Sequence, residues 1–328
     1  MVPSSKSIAH RELIAAALSG VEPPVIRGES KDTLATRNCL KAMMSGDSVW
    51  PCGESGTTLR LLEPIAGVMG WKGEFKCEGR LGERPRMPFE KKDRYVIPGN
   101  ISSQFISGLL MALPLADWDS EIVIEGPLQS EAYVRLTEDT LRVSGIEFGT
   151  ECRTPCANSG LGWKIVGGQK YNFKGGREVE GDWSQAAFFL AMGVEVKGLK
   201  ADSHQGDKAV VELLERIRRG EGTIDVAQTP DLYPVLAATA AALGREVTFT
   251  GTERLRLKES DRIASTAALI ESVKSGKPVN TFGDHRIAMS AAVMACSSKV
   301  PVAVEGAECV AKSYPGFWDD FERLEIRS

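Results

Sequence analysis

With 328 residues, 42% of them hydrophobic and 26% charged, the chain has material for two ordinary domains and is too apolar for a disordered protein. Its 40 Lys and Arg against 44 Asp and Glu leave a net charge of −4, which speaks against a nucleic-acid partner but leaves room for small anions at a local cluster of cations. No run reaches the ~18 apolar residues of a membrane span, and Met1-Val-Pro-Ser-Ser-Lys-Ser lacks a signal-peptide core, so a cytoplasmic protein with no membrane partner is expected.

The 33 Gly and 16 Pro predict frequent turns and short elements. In chain order, six stretches lead from Gly, Pro, Ser, Thr or Asp straight into an Ala/Leu/Ile-rich helix. They are Pro3-SSKSIAHRELIAAAL, Gly53-ESGTTLRLLEPIAG, Gly99-NISSQFISGLLMAL, Gly181-DWSQAAFFLAMG, Pro230-DLYPVLAATAAAL and Gly283-DHRIAMSAAVMAC. The apolar runs Gly108–Ala116 and Val235–Leu243 within them read as buried helix. Amphipathic helices of a second kind fall between, at Asp32–Met44, Glu131–Ser144, Asp207–Arg219, Asp261–Ser272 and Pro315–Leu324. Strand-like runs separate them, such as Glu121-IVIEG, Gly162-WKIVGG and Glu246-VTFTG. The alternation predicts an α/β fold of repeated units.

The first-turn N–H groups of a helix are unsatisfied and its dipole favours anions there, so six such starts suggest a fold that gathers helix N-termini around anionic ligands. The markers Ser7, Thr57, Ser103, Ser184, Asp231 and His285 lie 46 to 54 residues apart, except for the 81-residue step from Ser103 to Ser184. A unit of two helices and four strands needs roughly 60 residues, so four repeats read as trimmed. The seven cysteines (Cys39, Cys52, Cys77, Cys152, Cys156, Cys296, Cys309) form no zinc pattern and read as reduced thiols, and the three histidines are dispersed; no metal site or cofactor is expected.

Several charged groups sit at these helix starts. Lys6 and Ser7 open the first helix and Arg11 lies one turn on from Ser7, an arrangement that a capped surface helix would also show. Lys258 and Arg262 share a face in Lys258-Glu-Ser-Asp-Arg262, with Glu259 between them; the plain alternative is a solvated face capped by Ser260. Asp284-His-Arg286 puts two cationic residue types at a positive dipole end, with Asp284 readable as an N-cap. Arg84 stands between Glu83 and Pro85, and Lys312 precedes the last helix.

Singly these are structural patterns, but their order is not. Pro3-SSKSIAHR, Gly53-ESGTTLR, Glu83-RP, Ser102-SQF, Ser130-EAY, Glu180-GDWSQAA, Pro230-D, Leu257-KESDRI, Asp284-HRIAM and Ala311-KSYPGF follow one another as in the 5-enolpyruvylshikimate-3-phosphate (EPSP) synthases, which glyphosate inhibits, and the chain resembles that family over nearly its whole length. The resemblance implies two domains of three βαβαββ units each, residues 6–180 and 181–328 plus 1–5, with the active site in the cleft between them. It implies a monomeric transferase of aromatic amino acid biosynthesis that moves the enolpyruvyl group of phosphoenolpyruvate to shikimate 3-phosphate. Shikimate 3-phosphate falls to Lys6, Ser7, Arg11, Ser102, Ser103, Gln104, Ser130, Tyr133, Asp231 and Lys258. Phosphoenolpyruvate falls to Lys6, Gly56, Arg84, Gln104, Arg262, Arg286 and Lys312. Asp231 is the implied base, and Glu259 or Lys6 the implied acid.

Relative to that family the first strand is nearly absent. Segments are missing after Met44, Arg84, Arg219 and Ser272. Glu54 and Ser55 replace the Asn and Ala of one subgroup, and Arg254 replaces its Asn. Two rival readings remain: a minimised scaffold that only binds shikimate 3-phosphate, and the sister transferase acting on UDP-N-acetylglucosamine, which lacks the Ser-Ser-Gln and Lys-Glu-Ser-Asp-Arg motifs seen here.

Overall fold

The computed structural model describes residues 1–152, 161–298 and 301–324. Two compact units emerge, one from Lys6–Ile26 with Asp32–Val179, here the N-terminal unit, and one from Met1–Ser5, Arg27–Lys31 and Glu180–Ser328, the C-terminal unit. Residues 27–31 were expected in the first domain. They join the C-terminal unit because the Ser4 N–H donates to the Arg27 carbonyl and the Arg27 N–H to Ser4 Oγ, both at 3.0 Å.

In the N-terminal unit α1 (Lys6–Ser19) and α2 (Lys31–Ser45) come first. Then β1 (Val49–Gly53) leads into α3 (Gly56–Val68), and β2 (Glu74–Cys77) returns parallel to β1. The same path recurs in β3 (Arg94–Pro98), α4 (Ser103–Ala112) and β4 (Ser120–Glu125), with Tyr95 opposite Ile122 and Ile97 opposite Ile124. After α5 (Glu131–Val143), the strands β5 (Phe148–Cys152) and β6 (Leu161–Ile165) add antiparallel to give the order β3-β4-β6-β5. Alternate residues of β3 are buried, as one covered face requires. That face packs Tyr95, Ile97, Ile122 and Trp163 against Ile106 and Leu110 of α4 and Leu141 of α5. A second core joins Trp50, Leu59, Leu62 and Ile65 to Ile14 and Leu40. The buried Tyr171 hydroxyl donates to the Met111 carbonyl at 2.6 Å, meeting the rule that a buried polar group needs a partner.

The C-terminal unit begins with α6 (Trp183–Ala191) and α7 (Val210–Arg219). Two further strand–helix–strand paths follow. They are β7 (Thr223–Asp225), α8 (Tyr233–Ala242), β8 (Thr248–Thr250), and, after α9 (Arg262–Lys274), β9 (Val279–Asn280), α10 (His285–Ser298), β10 (Val304–Glu305); α11 (Phe317–Glu322) closes the unit. Both strand pairs are parallel. Helix α8 is buried from Tyr233 to Ala240, and its alanines permit neighbours on every side. The helix expected from Asp207 starts instead as a 3₁₀ turn, Gly206–Ala209. The cap of α9 is Asp261, which accepts from the Ile263 and Ala264 N–H groups, rather than Ser260, whose hydroxyl meets Ser265 and Asp284.

Four of the six predicted helix starts thus lie where a parallel strand ends and its crossover helix begins, the position that binds ligands in open α/β sheets. The other two, α1 and α6, follow an isolated antiparallel bridge of Ser4 with Gly181. Among the described residues one sheet has four strands and three have two. Cys39, Cys52, Cys77, Cys296 and Cys309 are free thiols, and Cys156 lies outside the described residues.

Helix α4 packs close against α3 at Gly108, where a Cβ would run into the Arg60 carbonyl oxygen. Gly108→Ala should therefore lower unfolding stability by about 1–3 kcal/mol despite the better helix propensity of Ala. Urea unfolding midpoints test this, and an unchanged midpoint would mean that the two helices part at no cost.

Candidate active site

In the N-terminal unit the predicted site residues group around cations, of which Arg11 is buried. Lys6 opens α1, and its Nζ donates to Asp32 Oδ2 at 2.8 Å. Arg11, one and a half turns on and 2% exposed, donates to Thr137 Oγ1 (2.7 Å), the Ser7 carbonyl (2.6 Å), Ser107 Oγ (3.2 Å) and the Tyr133 carbonyl (2.8 Å). All four acceptors are neutral. Burial lowers the Arg11 pKa to about 10, which still leaves the guanidinium charged at neutral pH. Ser7 and Tyr133, two of the predicted ligand residues, therefore meet Arg11 through their backbone oxygens.

At the start of α4 the Ser102 hydroxyl accepts the Gln104 N–H at 3.3 Å, an ordinary N-cap, and Ser103 is buried in the first turn. The Gln104 amide accepts from Arg60 Nη1 at 2.5 Å and donates to Thr57 Oγ1 at 2.8 Å. A methyl built on Gly56 would meet Arg60 Nη1 and Arg84 Nη1, each at 3.4 Å, so two guanidinium groups border that turn. Ser130, buried before α5, sits at φ 57°, ψ 41°. A non-glycine residue there costs on the order of 1 kcal/mol, and such strain gathers at functional positions.

In the C-terminal unit one carboxylate collects three cations. Asp231 Oδ1 accepts from Lys258 Nζ at 3.1 Å and Arg262 Nη1 at 2.7 Å, while Oδ2 accepts from Arg286 Nη2 at 3.2 Å. Thr229 and Leu232, which precede the helical turns there, supply no side-chain cap. Arg262, 1% exposed, also donates to Glu259 Oε2 at 2.7 Å and to Asp284 at 2.9 and 3.3 Å. Asp284 doubles as the first-turn cap, accepting the Arg286 N–H at 3.0 Å. Lys312 is buried in the 3₁₀ turn after β10. The second non-glycine residue at positive φ, Phe282 at 52°, stands two residues before Asp284.

These contacts dictate the protonation states. Burial opposes ionisation of Asp231, but Arg286, Lys258 and Arg262 override it and hold the carboxyl well below the ordinary range. Burial lowers the Lys258 pKa, partly offset by Asp231. Burial also opposes the charged form of Arg262, but Asp284, Glu259 and Asp231 more than compensate and its pKa is raised. Asp207 behaves in the opposite sense to Asp231, because burial and the Asp231 charge push it up to about 6. Among the described residues no group of three or more His, Cys, Asp or Glu is arranged to hold a metal ion.

Asp231, Lys258, Glu259, Arg262 and Arg286 thus form one ion network, and Lys6, Ser7, Arg11, Tyr133, Gly56, Arg84 and Gln104 fall into smaller groups in the N-terminal unit. Sequence reasoning missed Asp32, Arg60 and Asp207. Only Arg60 left a signal, its i+4 spacing from Gly56 on one helix face.

A family model described as EPSP synthase (3-phosphoshikimate 1-carboxyvinyltransferase) matches residues 86–321. The 3-phosphoshikimate 1-carboxyvinyltransferases of Clostridium perfringens (strain SM101) and Clostridium kluyveri are each 34% identical to this chain over 98% of it, covering 95% and 94% of their own lengths. The first alignment runs over 412 positions, more than the 328 residues here, so that relative carries segments this chain lacks. A structure of EPSP synthase from Acinetobacter baumannii shares the fold with a TM-score of 0.70 at 22% identity, over 99% of this chain and 95% of that one.

The raised Asp207 pKa fixes the sign of a pH effect. In the unfolded chain the carboxyl releases its proton near 3.8, whereas in the folded one it does so near 6. Its stabilising contribution is complete below the unfolded value and is lost as pH rises through about 6. Asp207→Asn should therefore stabilise the protein on the order of 1–3 kcal/mol at pH 8 and far less at pH 4. Melting curves across that range check it; an equal loss at both ends would mean that partners keep Asp207 ionised.

Proposed function

The chain belongs to the EPSP synthase family, and from that premise we propose how its residues divide the work of the family's reaction. That reaction transfers the enolpyruvyl group of phosphoenolpyruvate to the 5-hydroxyl of shikimate 3-phosphate and releases phosphate. Both substrates are multiply charged anions, so bringing them together needs cations, and arginine suits carboxylate and phosphate because its fork makes paired hydrogen bonds.

In this proposal Arg11, Ser7, Ser102, Ser103, Gln104, Ser130, Tyr133 and Lys258 hold shikimate 3-phosphate, with Lys6 and Asp231 at its reacting side. Gly56, Arg84, Gln104, Arg262, Arg286, Lys312 and Lys6 hold phosphoenolpyruvate. Asp231 takes the proton of the attacking hydroxyl while C3 of phosphoenolpyruvate receives one from Glu259 or Lys6, and the cations stabilise the charge that develops before phosphate leaves. The observation that carries this reading is that the Asp231 carboxylate accepts from Lys258, Arg262 and Arg286 together. An incoming phosphate competes for those cations, and as they turn to it the carboxylate regains basicity. Glyphosate is a competing ligand on this reading. The free thiols, including Cys39 and Cys52, whose sulfurs share a thiol hydrogen bond at 3.7 Å, support a reducing compartment, the cytoplasm.

A coupled assay for released phosphate with both substrates tests the reaction; binding of both without release would leave a scaffold. Asp231→Asn should lower turnover by roughly 10²–10⁴ while shikimate 3-phosphate still binds, and Glu259→Gln should separate binding from turnover in the same way. Near-parental turnover in both variants would remove them as proton carriers.

Gly56→Ala places a methyl against Arg60 and Arg84. Glyphosate, longer than phosphoenolpyruvate, should lose more affinity than the substrate, as inhibition constants and KM report. Parallel losses would point to damage of the turn alone.

A further inference from the structure

Four polar side chains with no place in the catalytic reading form an unbroken buried run through the N-terminal unit. His10 Nδ1 lies 2.6 Å from Thr36 Oγ1, and Thr36 Oγ1 lies 2.6 Å from Thr58 Oγ1. Thr58 Oγ1 donates to Ser55 Oγ at 2.7 Å, and the Thr58 N–H donates to the same oxygen at 3.3 Å as the cap of α3. His10, Thr36 and Thr58 are 0% exposed and Ser55 1%. The run links α1, α2 and α3.

Its hydrogen bonds have one economical direction. His10 Nε2 has no partner among the described residues, and a bare acceptor nitrogen is cheaper to bury than an orphaned N–H. The imidazole proton therefore sits on Nδ1 and points to Thr36, Thr36 donates to Thr58, and Thr58 to Ser55. Burial, with Lys6 and Arg11 adding to it, holds the His10 pKa well below 6.5, so the ring stays neutral.

Both ends neighbour, along the chain, residues assigned to phosphoenolpyruvate. His10 lies one turn from Lys6 on α1, and Ser55 immediately precedes Gly56. The Asp32 carbonyl, 3.4 Å from Thr58 Oγ1, is the weaker competitor of Ser55 Oγ for the single Thr58 proton, and Asp32 carries the carboxylate that holds Lys6. Packing alone does not ask for this composition, since apolar groups of the same shape fill a core without the need to satisfy every donor.

We propose that the His10–Thr36–Thr58–Ser55 run is a positioning device that holds the Gly56 turn in register with Lys6, and so sets how tightly the site grips phosphoenolpyruvate. This rests on the assignment of Gly56 and Lys6 to that substrate. Thr36 is its midpoint, and none of the four residues touches substrate in this reading.

Thr36→Val keeps the shape of the side chain and removes the hydroxyl, whereas Thr36→Ser keeps the hydroxyl. The valine variant should raise KM for phosphoenolpyruvate roughly tenfold, the effect of one lost buried hydrogen bond. KM for shikimate 3-phosphate and kcat should stay within about twofold, and the serine variant should behave as the parent. Amide hydrogen exchange over residues 54–59, read by mass spectrometry without substrates, should be faster in the valine variant only. Equal behaviour of the two variants, or parental KM and exchange in the valine variant, would overturn the proposal. If the parent itself releases no phosphate, the functional reading fails first, and the exchange comparison alone decides whether the run holds the turn.

Discussion

A guanidinium stripped of water has to be met by hydrogen-bond acceptors, and the kind of acceptor that meets it sets the character of each unit. Arg262 is met by the carboxylates of Asp231, Glu259 and Asp284, and its charge is spent inside the protein. Removing one partner from such a buried set leaves an uncompensated charge, which is costly, so the set holds together as a block. Lys258 and Arg286 join it through Asp231. Asp284 ties the block to the backbone of α10, so that the fold and the network brace each other.

Arg11 follows the other course. Carbonyl and hydroxyl oxygens fill its hydrogen bonds without cancelling its charge. The result is a fixed, dry cation whose geometry is set by α1, α4 and α5 before any ligand arrives, and a preorganised cation of that kind attracts an anion without having to rearrange. The N-terminal unit thus holds a positive charge, whereas the C-terminal unit holds a balanced network in which Asp231 meets three cations.

The short sheets fit the same economy. A parallel pair needs only one crossover helix, and β1-α3-β2, β3-α4-β4, β7-α8-β8 and β9-α10-β10 each supply one. Each path delivers its turn at the carboxyl end of a strand and the free N–H groups of a helix start, which is where Gly56, Ser102, Asp231 and Arg286, the residues proposed for the site, stand. What the longer relatives carry beyond this is not needed to form those turns.

The helix starts were legible in the residues because capping and periodicity are local: Ser55, Ser102, Asp182 and Asp261 accept N–H groups two or three positions ahead. The order of the motifs was enough to point to the family. Local rules failed where two acceptors competed, as when Asp261 took the cap assigned to Ser260 and freed Ser260 for Asp284. They were silent on Asp32 and on the links from His10 through Thr36 to Thr58, and gave Arg60 only its spacing from Gly56, because these partners lie 22 to 44 residues apart and meet only when α1, α2, α3 and α4 pack. The proton on Asp207 belongs to the same class. Two aspartates 24 positions apart look alike in the sequence, and only the fold, by surrounding Asp231 with cations and by burying Asp207 near the Asp231 charge, two effects that together outweigh Arg286 and Ser184, drives their pKa values in opposite directions.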